Sequence, residues 1–424
     1  MPKTPSPADI RAAVDARRDD IVRLHLDLVG TESITLNEGP VQAVVRNAME
    51  RLGLEIDQWE SSAEEIAPYV VHVGEQATFE NRPSVVGKRP GAGGGKSLML
   101  QGHIDTVPAG DMDAWKHSPW GEVDGDDLYG LGSLDMKGGV TAFIMAAQIL
   151  DDLGVRLKGD LFLNTSPGEE DGGFGALSTI LRGYKPDAIV ITEPTDLELV
   201  VAHGGSLVFR ITVHGKSAHG GSRMDGVSAF EKFVPIWQDI MAWEQERNET
   251  LSHPLYDHLE NKFPISVGVV RAGEWASTVP DTLIAEGRLG FLPGETIEGM
   301  MRQTEERIAA VAAADPWLKD HPPVVEWFGG QFASTEISPD EPIAKAVSAA
   351  HTAIEGDEPE VIGFTAGLDM RLFTEIGGIP TATYGAGHVS LAHQPEEHLH
   401  IPDLLTAISV LTQLTIDWCG VADD

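Results

Sequence analysis

The sequence predicts an α/β fold, in which helices cover a mostly parallel sheet and a second, smaller unit is inserted into the chain. Short apolar runs at residues 97–101, 159–165 and 188–192 alternate with longer segments of helical periodicity. Such runs are typical of parallel strands that are buried on both faces. The chain has 424 residues, which is too long for a single hydrophobic core, so we predict two or more domains.

The composition excludes several classes of partner and site. The formal net charge of −36 repels nucleic-acid phosphates and anionic membranes, so we expect neither as a partner. The longest apolar runs, such as residues 141–150, are too short to cross a bilayer. The N-terminal stretch lacks the apolar segment of a secretory signal, so we expect a cytoplasmic location. Cys419 is the only cysteine, so metal ligands would have to be His, Asp or Glu.

The first half of the chain alternates predicted helices and strands. Apolar residues at helical spacing predict amphipathic helices, and a stretch rich in glycine and proline predicts a flexible loop before the central strand. The predicted elements are helices over 8–29, 39–52 and 140–150, a loop over 87–95, and strands over 97–101, 159–165 and 188–192.

The order of elements changes after residue 205. Residues 206–332 show the order strand, helix, strand, strand, helix, strand, which is that of the ferredoxin-like split βαββαβ unit. We therefore predict one domain made of residues 1–205 and 333–424 and an inserted domain over 206–332. The later predicted elements lie at 207–213, 228–246, 265–270, 283–291, 296–313, 323–328, 341–355, 380–384 and 402–418.

Histidines and carboxylates follow the predicted strands of the first domain. His103 and Asp105 are two positions apart, so their side chains point the same way. Either both reach one metal ion, or His103 binds it while Asp105 orients the ring. Glu169 and Glu170 follow the next strand. In open α/β sheets ligands bind at the carboxyl ends of the strands, which predicts a shared site there.

A pair of divalent cations needs a bridging carboxylate, further His or carboxylate ligands, and an open position for water. The sequence offers candidates in loops rich in glycine and proline. Two adjacent carboxylates cannot face the same way, so one of Glu169 and Glu170 can bind metal while the other addresses the water. The candidate ligands are His103, Asp135, Glu170, Glu193 and His393.

Taken together, these motifs resemble the M20 family of di-metal amidohydrolases and peptidases, the group of acetylornithine deacetylase, succinyl-diaminopimelate desuccinylase, aminoacylase and carboxypeptidase G. The resemblance covers nearly the whole chain. It rests on the motifs GHIDTVP, GLGSLDMKGG, SPGEEDGGFGA, TEPT, HGKSAHGG and GAGHVSLAHQPEE.

The resemblance implies two metal ions, with zinc as the first choice and cobalt or manganese as alternatives. Asp135 would bridge them, and the peptide bond from Asp135 to Met136 is often cis in this family. One ion would be held by His103, Asp135 and Glu193, and the other by Asp135, Glu170 and His393.

The resemblance also implies roles for residues around the metals. Glu169 would be the general base and Asp105 the partner of His103. His219 would reach the active site of a second subunit, so the inserted domain would be a lid that also forms a homodimer. Arg288 and the backbone of Gly385 and Gly387 match regions that hold the substrate carboxylate.

Two positions depart from the family pattern. Ser277 stands where an asparagine is usual, and Leu131 stands where arginine is frequent. The ligand set is intact, so these departures affect the expected substrate rather than the expected chemistry. By contrast, we expect Arg371 to pair structurally with Asp369 or a neighbour rather than to bind substrate.

Three functions follow from this reading. The first is a metal-dependent hydrolase that cleaves the amide bond of a small N-acyl amino acid. The second is a dipeptidase, aminopeptidase or carboxypeptidase of the same family. The third is a catalytically silent binding protein, which the loss of a ligand or of the base would favour, and neither is lost.

Overall fold

The computed structural model describes residues 4–423, in which helices and strands alternate along most of the chain. The helices are α1 (Pro7–Ala16), α2 (Arg18–Val29), α3 (Gly39–Arg51), α4 (Ala63–Ile66), α5 (Val70–Val73), α6 (Gly138–Asp152), α7 (Phe174–Leu181), α8 (Ala229–Thr250), α9 (Ile297–Ala314), α10 (Pro342–Glu355) and α11 (Ile401–Cys419). The strands are β1 (Glu55–Glu60), β2 (Pro83–Arg89), β3 (Leu98–His103), β4 (Glu122–Asp124), β5 (Asp127–Tyr129), β6 (Leu161–Ser166), β7 (Ala188–Ile191), β8 (Leu199–His203), β9 (Gly205–His214), β10 (Ile265–Ala272), β11 (Thr282–Phe291), β12 (Val324–Trp327), β13 (Thr335–Glu336), β14 (Val361–Phe364), β15 (Thr381–Thr383) and β16 (His398–His400).

A nine-stranded sheet forms the centre of the molecule, in the order β1-β2-β6-β3-β7-β15-β8-β13 with β14 beside β8. The strands β6, β3, β7 and β15 run parallel to one another, whereas β1, β2 and β13 add antiparallel pairs at the edges. The predicted α/β class with a mostly parallel sheet is thereby confirmed. The parallel run brings the ends of four strands to one edge of the sheet.

Both faces of this sheet are covered, which explains the continuous hydrophobicity of its strands. Leu98 and Leu100 of β3 pack into the cluster that contains α6 and α11, whereas Met99 packs into the cluster that contains α7. The helices α6 and α11 are apolar on nearly all sides because they are buried between layers. Among residues 4–423, no helix combines the length and apolarity that a membrane crossing needs. The cytoplasmic location stays a prediction.

A separate four-stranded antiparallel sheet, in the order β10-β11-β9-β12, lies between β8 and β13 in the chain. Together with α8 and α9 it follows the predicted βαββαβ order, so the insertion is confirmed. Alternate residues of β9 face a core of their own. Ser206 and Phe332, the predicted bounds, pair with each other in an isolated bridge. The division of the chain into domains at these residues stays a prediction.

Two local predictions were wrong. The helix predicted over 8–29 breaks at Arg17, whose φ of −102° and ψ of 6° leave the helical region. Its guanidinium donates two hydrogen bonds of 2.8 Å to Asp152. The flexible loop predicted over 87–95 begins only after Arg89, because residues 87–89 extend β2 and pair with β6. Gly87 fits there because an added Cβ would lie 2.8 Å from the sulfur of Met49.

Candidate metal centre and active site

Two imidazoles contact the same carboxylate through different oxygen atoms. His103, the last residue of β3, places Nε2 3.1 Å from Asp135 Oδ1. His393, in the loop after β15, places Nε2 3.3 Å from Asp135 Oδ2. Asp135 lies in the turn just before α6, and its peptide bond to Met136 is cis, as the resemblance predicts. Asp135 is therefore placed to be shared between two sites.

Each imidazole also lies near a carboxylate of its own. Glu193 Oε1 lies 3.8 Å from His103 Nε2, and Glu170 Oε1 lies 2.9 Å from His393 Nε2. The five candidate ligands thus come together in two groups that share Asp135. The triad of His103, Asp135 and Glu170 takes one imidazole from the first group and one glutamate from the second. Its ligand atoms lie within 4.8 Å of one another, a distance that one cation can span.

The cluster carries an excess of buried negative charge. Burial raises the pKa of Glu170, and it raises the pKa of Glu193 well above the usual range. Hydrogen bonds to Asp135 and Glu170 raise the pKa of His393 to about 11. Buried anions are costly unless they are paired, and carboxylates with imidazoles are ligands that zinc and related divalent cations bind. The donor set therefore fits divalent cations held around Asp135.

Asp105 connects the end of β3 to the loop that follows β6. Its Oδ1 accepts the N–H of Glu169 at 3.2 Å, and its Oδ2 accepts the N–H of Glu170 at 3.1 Å. His103 Nδ1 lies 2.9 Å from the backbone oxygen of Asp105 but 3.6 Å from Oδ1. The backbone of Asp105 therefore orients the imidazole, so that Nε2 faces Asp135. The carboxylate of Asp105 orients the loop that carries Glu169 and Glu170, which we call the glutamate loop.

Glu169 has the surroundings of a group that transfers protons. It lines the pocket beside the candidate ligands and is only 7% exposed. Within the described chain its carboxylate forms no hydrogen bond. Burial raises the pKa of Glu169 well above the usual range, and the nearby charge of Asp369 adds to the effect. A carboxylate with a raised pKa accepts a proton readily at neutral pH.

Arg371 lies behind the glutamate loop, in the structural role predicted for it. Its Nη1 lies 3.9 Å from Asp369 Oδ1, and its guanidinium donates to the backbone oxygens of Leu368 at 2.7 Å and Gly172 at 2.8 Å. Burial raises the pKa of Asp369 to about 6 and lowers the pKa of Arg371 to about 10. Arg371 thus supports the chain just after Glu170.

Glu397 holds the loop of the shared carboxylate, a contact that the sequence did not reveal. Its Oε1 accepts the N–H groups of Leu134 at 3.1 Å and Asp135 at 3.3 Å, and its Oε2 accepts that of Gly132 at 3.1 Å. The side chain is 1% exposed. Glu397 closes the last quoted motif, but no spacing indicates a partner 262 residues away.

A second unpredicted network supports the loop that carries Glu169 and Glu170. The guanidinium of Arg82 is fully buried and donates to both oxygens of Glu38, with a shortest distance of 2.7 Å. The same guanidinium lies 3.1 Å from Asp171 Oδ2. This network joins α3, β2 and the glutamate loop through charges that lie far apart in the sequence.

A pocket of about 420 Å³ opens beside the cluster, and Arg288 of β11 lines it together with the candidate ligands. Arg288 Nε donates to Ser206 Oγ at 3.2 Å, and Nη2 donates to the backbone oxygen of Thr365 at 3.3 Å. Within residues 4–423 it has no carboxylate partner. Arg288 is therefore placed to bind an anion in the pocket.

Three predicted site residues do not line this pocket. The N–H of Gly385 donates to Thr195 Oγ1 at 3.0 Å, and the backbone oxygen of Gly387 accepts the N–H of Asp196 at 2.8 Å. Both glycines therefore contact the segment that follows Glu193, and neither is among the residues that line the pocket. His219 is exposed on the inserted unit, where Nδ1 accepts the N–H of Gly221.

Histidines and carboxylates gathered at the ends of parallel strands, with a buried glutamate beside them, form the arrangement of a metal-dependent hydrolase. The sequence model of peptidase family M20/M25/M40 matches residues 99–417. The chain therefore belongs to this family, and the predicted resemblance is confirmed.

Relatives in sequence include deacylases. The chain is 25% identical over 435 residues to N-formyl-4-amino-5-aminomethyl-2-methylpyrimidine deformylase of Bacillus subtilis, with 97% of each protein covered. It is 28% identical over 340 residues to acetylornithine deacetylase of Salmonella arizonae, with 78% of this chain and 81% of that protein covered.

Solved structures with the same fold include peptidases. The dipeptidase Dug1p of Saccharomyces cerevisiae matches with a TM-score of 0.77 at 13% identity, covering 98% of each chain. The YXEP protein of Bacillus subtilis, described as a dinuclear metal-binding peptidase of the M20 family, matches with a TM-score of 0.60 at 17% identity, covering 96% of this chain and 100% of that one. These matches establish the shared fold.

Proposed function

We propose that this protein is a hydrolase that cleaves the amide bond of a small N-acyl amino acid with two bound divalent cations, zinc first and cobalt or manganese as alternatives. The observation that carries the proposal is the Asp135 carboxylate shared by two imidazoles, with Glu169 in the same pocket. Cations bound here would supply Lewis acidity, which polarises an amide carbonyl and lowers the pKa of a water molecule. The two deacylase relatives support an N-acyl substrate.

The side chains of the pocket would move the protons and hold the substrate. Glu169 would accept a proton from the attacking water and donate it to the leaving amine, because a carboxyl group with a raised pKa can do both. Arg288 would bind the substrate carboxylate through two nitrogen donors. Asp105 would fix the position of Glu169 relative to the His103 ring, because its carboxylate accepts the N–H of Glu169 and its backbone oxygen contacts the ring.

The two adjacent glutamates give the sharpest test of this assignment. Glu169→Gln should lower turnover by at least ~10²-fold with metal content retained, because it removes only the proton carrier. Glu170→Gln should instead lose metal, because Glu170 faces His393 in the cluster. Turnover and bound zinc are measured on the same preparations, and near-normal turnover in Glu169→Gln would contradict the assignment.

We also propose that the protein is a homodimer in which His219 completes the site of the partner subunit. His219 lies outside the pocket of its own chain, and the inserted unit exposes large apolar side chains, with Trp275 75% and Met224 88% exposed. Mixing His219→Ala chains with Glu169→Gln chains should restore part of the activity. A fully active monomer in solution would refute both the dimer and the role of His219.

The alternative function is a dipeptidase, aminopeptidase or carboxypeptidase, which the peptidases of the same fold favour. A hydrolysis screen separates the two readings. N-acetyl, N-succinyl and N-formyl amino acids are compared with dipeptides in the presence of zinc, cobalt or manganese. Faster cleavage of the dipeptides would make the peptidase reading the better one.

A further inference from the structure

Apart from the candidate ligands and Glu169, the lining of the pocket is mostly apolar, and this part is called the apolar wall. Its side chains include Val208, Phe332, Phe364 and Leu368. Arg288 and Ser206 are the only polar side chains in this part of the lining as the described residues form it, and Ser206 is already bonded to Arg288. Apart from the candidate ligands and Glu169, the lining that the described residues form therefore offers an anion site in apolar surroundings and no carboxylate.

The register of the inserted sheet puts the anion site and the apolar wall next to each other. Arg288 of β11 lies directly opposite Val208 of β9, so the two side chains project from the same face. In an amino acid the carboxylate and the side chain share one carbon atom. A substrate whose carboxylate lies on Arg288 must therefore place its side chain near this wall.

Packing and strand pairing hold the aromatic side chains of the wall in place. Phe332 packs under the guanidinium of Arg371, which lies 3.9 Å from the centre of its ring. On another side it meets Gly367, where an added Cβ would lie 2.6 Å from the Cβ of Phe332. Phe364 is the last residue of β14 and is fixed by pairing with His203 of β8. A preformed apolar wall binds an apolar group without the cost of ordering itself.

We infer that the amino-acid part of the substrate carries an uncharged, apolar side chain, which packs on this wall while its carboxylate is bound by Arg288. This inference rests on the proposed hydrolysis of N-acyl amino acids. A cationic side chain, such as that of ornithine or lysine, would lose its hydration here, meet no carboxylate on the wall and lie near the positive charge of Arg288.

Matched substrates test the inference directly on the zinc-loaded parent protein. N-acetyl-L-norvaline and N-acetyl-L-ornithine differ only in the terminal ammonium, and N-acetylglycine has no side chain. We expect kcat/KM for norvaline to exceed that for ornithine by about 10²-fold or more. It should exceed that for glycine by about 10³-fold, since norvaline has three more carbon atoms than glycine and each methylene in an apolar pocket contributes about 10-fold. Equal or faster cleavage of the ornithine substrate would overturn the inference.

Two variants locate the effect at the wall. Phe364→Ala should lower the norvaline-to-glycine ratio of kcat/KM by about 10-fold, because it removes apolar contact to the side chain only. Val389→Ser, at a pocket residue that is 37% exposed and so tolerant of change, should lower the same ratio by a smaller factor. Val123→Ser is the matched control, since Val123 is 41% exposed on β4 outside the pocket. An unchanged ratio in both pocket variants would refute the wall as the side-chain site.

The outcomes distinguish the inference from the function on which it rests. Hydrolysis of N-acetylglycine together with a preference for ornithine overturns the inference and leaves the proposed function standing. No hydrolysis of any N-acyl amino acid by protein with bound zinc overturns both.

Discussion

Replacing Glu397 by glutamine tests whether the shared carboxylate is held in place by its backbone. The wild-type carboxylate accepts three N–H groups, from Gly132, Leu134 and Asp135, at 3.1 to 3.3 Å. A glutamine of the same size has one oxygen, so its NH₂ group must face one of these donors. The substitution therefore leaves one buried N–H without an acceptor and weakens the other two hydrogen bonds.

The expected loss follows from these contacts. A buried donor without an acceptor costs about 1–3 kcal/mol, and hydrogen bonds to a charged group are about twice as strong as neutral ones. Burial raises the pKa of Glu397 because the charged form is desolvated, so glutamine, which carries no charge, avoids that desolvation cost and offsets part of the loss. We therefore expect the free energy of unfolding to change little and the metal affinity to fall by about 10- to 100-fold, the usual effect of losing a residue that orients a ligand.

Competition with a zinc chelator measures the affinity, and the visible spectrum of the cobalt-loaded protein reports the ligand geometry. Glu396→Gln is the matched control, because the carboxylate of Glu396 bonds the N–H groups of Lys116 and His117 instead of the Asp135 loop. Glu397→Gln with the parent affinity and cobalt spectrum, or an equal loss in both variants, would refute the proposed role of Glu397.

Three further outcomes are expected. Arg288→Ala should raise KM more than it lowers kcat, because a paired carboxylate holds substrate and transition state alike; an unchanged preference for free carboxylates over their amides would contradict this. Burial lowers the pKa of His25 to about 3, and Lys137 adds to the effect, so between pH 3 and 6.5 the unfolded chain binds a proton that the folded chain excludes. The free energy of unfolding in urea should thus fall by about 1.4 kcal/mol per pH unit below pH 6.5 from this residue, and His25→Gln should remove that share of the slope. EDTA should lower the midpoint of thermal unfolding and zinc should restore it, whereas an unmoved midpoint would argue against cations in the cluster.

The sequence alone could predict that some of the site residues come together. His103 ends the buried strand β3, Glu170 and Glu193 follow β6 and β7 closely, and the ends of neighbouring parallel strands meet at one edge. Asp135 and His393 lie in loops that have no periodicity, so the resemblance to a family was needed to select them from the other acids and histidines.

The supporting contacts could not be predicted because they join distant parts of the chain. Arg82 meets Glu38 and Asp171, which are 44 and 89 positions away, and neither separation corresponds to a helical or strand period. The break at Arg17 has a similar origin, since its partner Asp152 is 135 positions away. Local propensity favours a continuous helix there, but the helix breaks where Arg17 bonds Asp152 in a distant part of the chain.

The shared carboxylate at Asp135 also sets an order of events during synthesis of the protein. Asp135, Glu170 and Glu193 leave the ribosome before the inserted sheet from β9 to β12, whereas His393 follows it. A nascent chain can therefore gather most of the acidic groups while the second imidazole has not yet been translated. Under the proposed assignment of ligands, the metal position that uses His393 could be completed only after the ribosome has made the insertion.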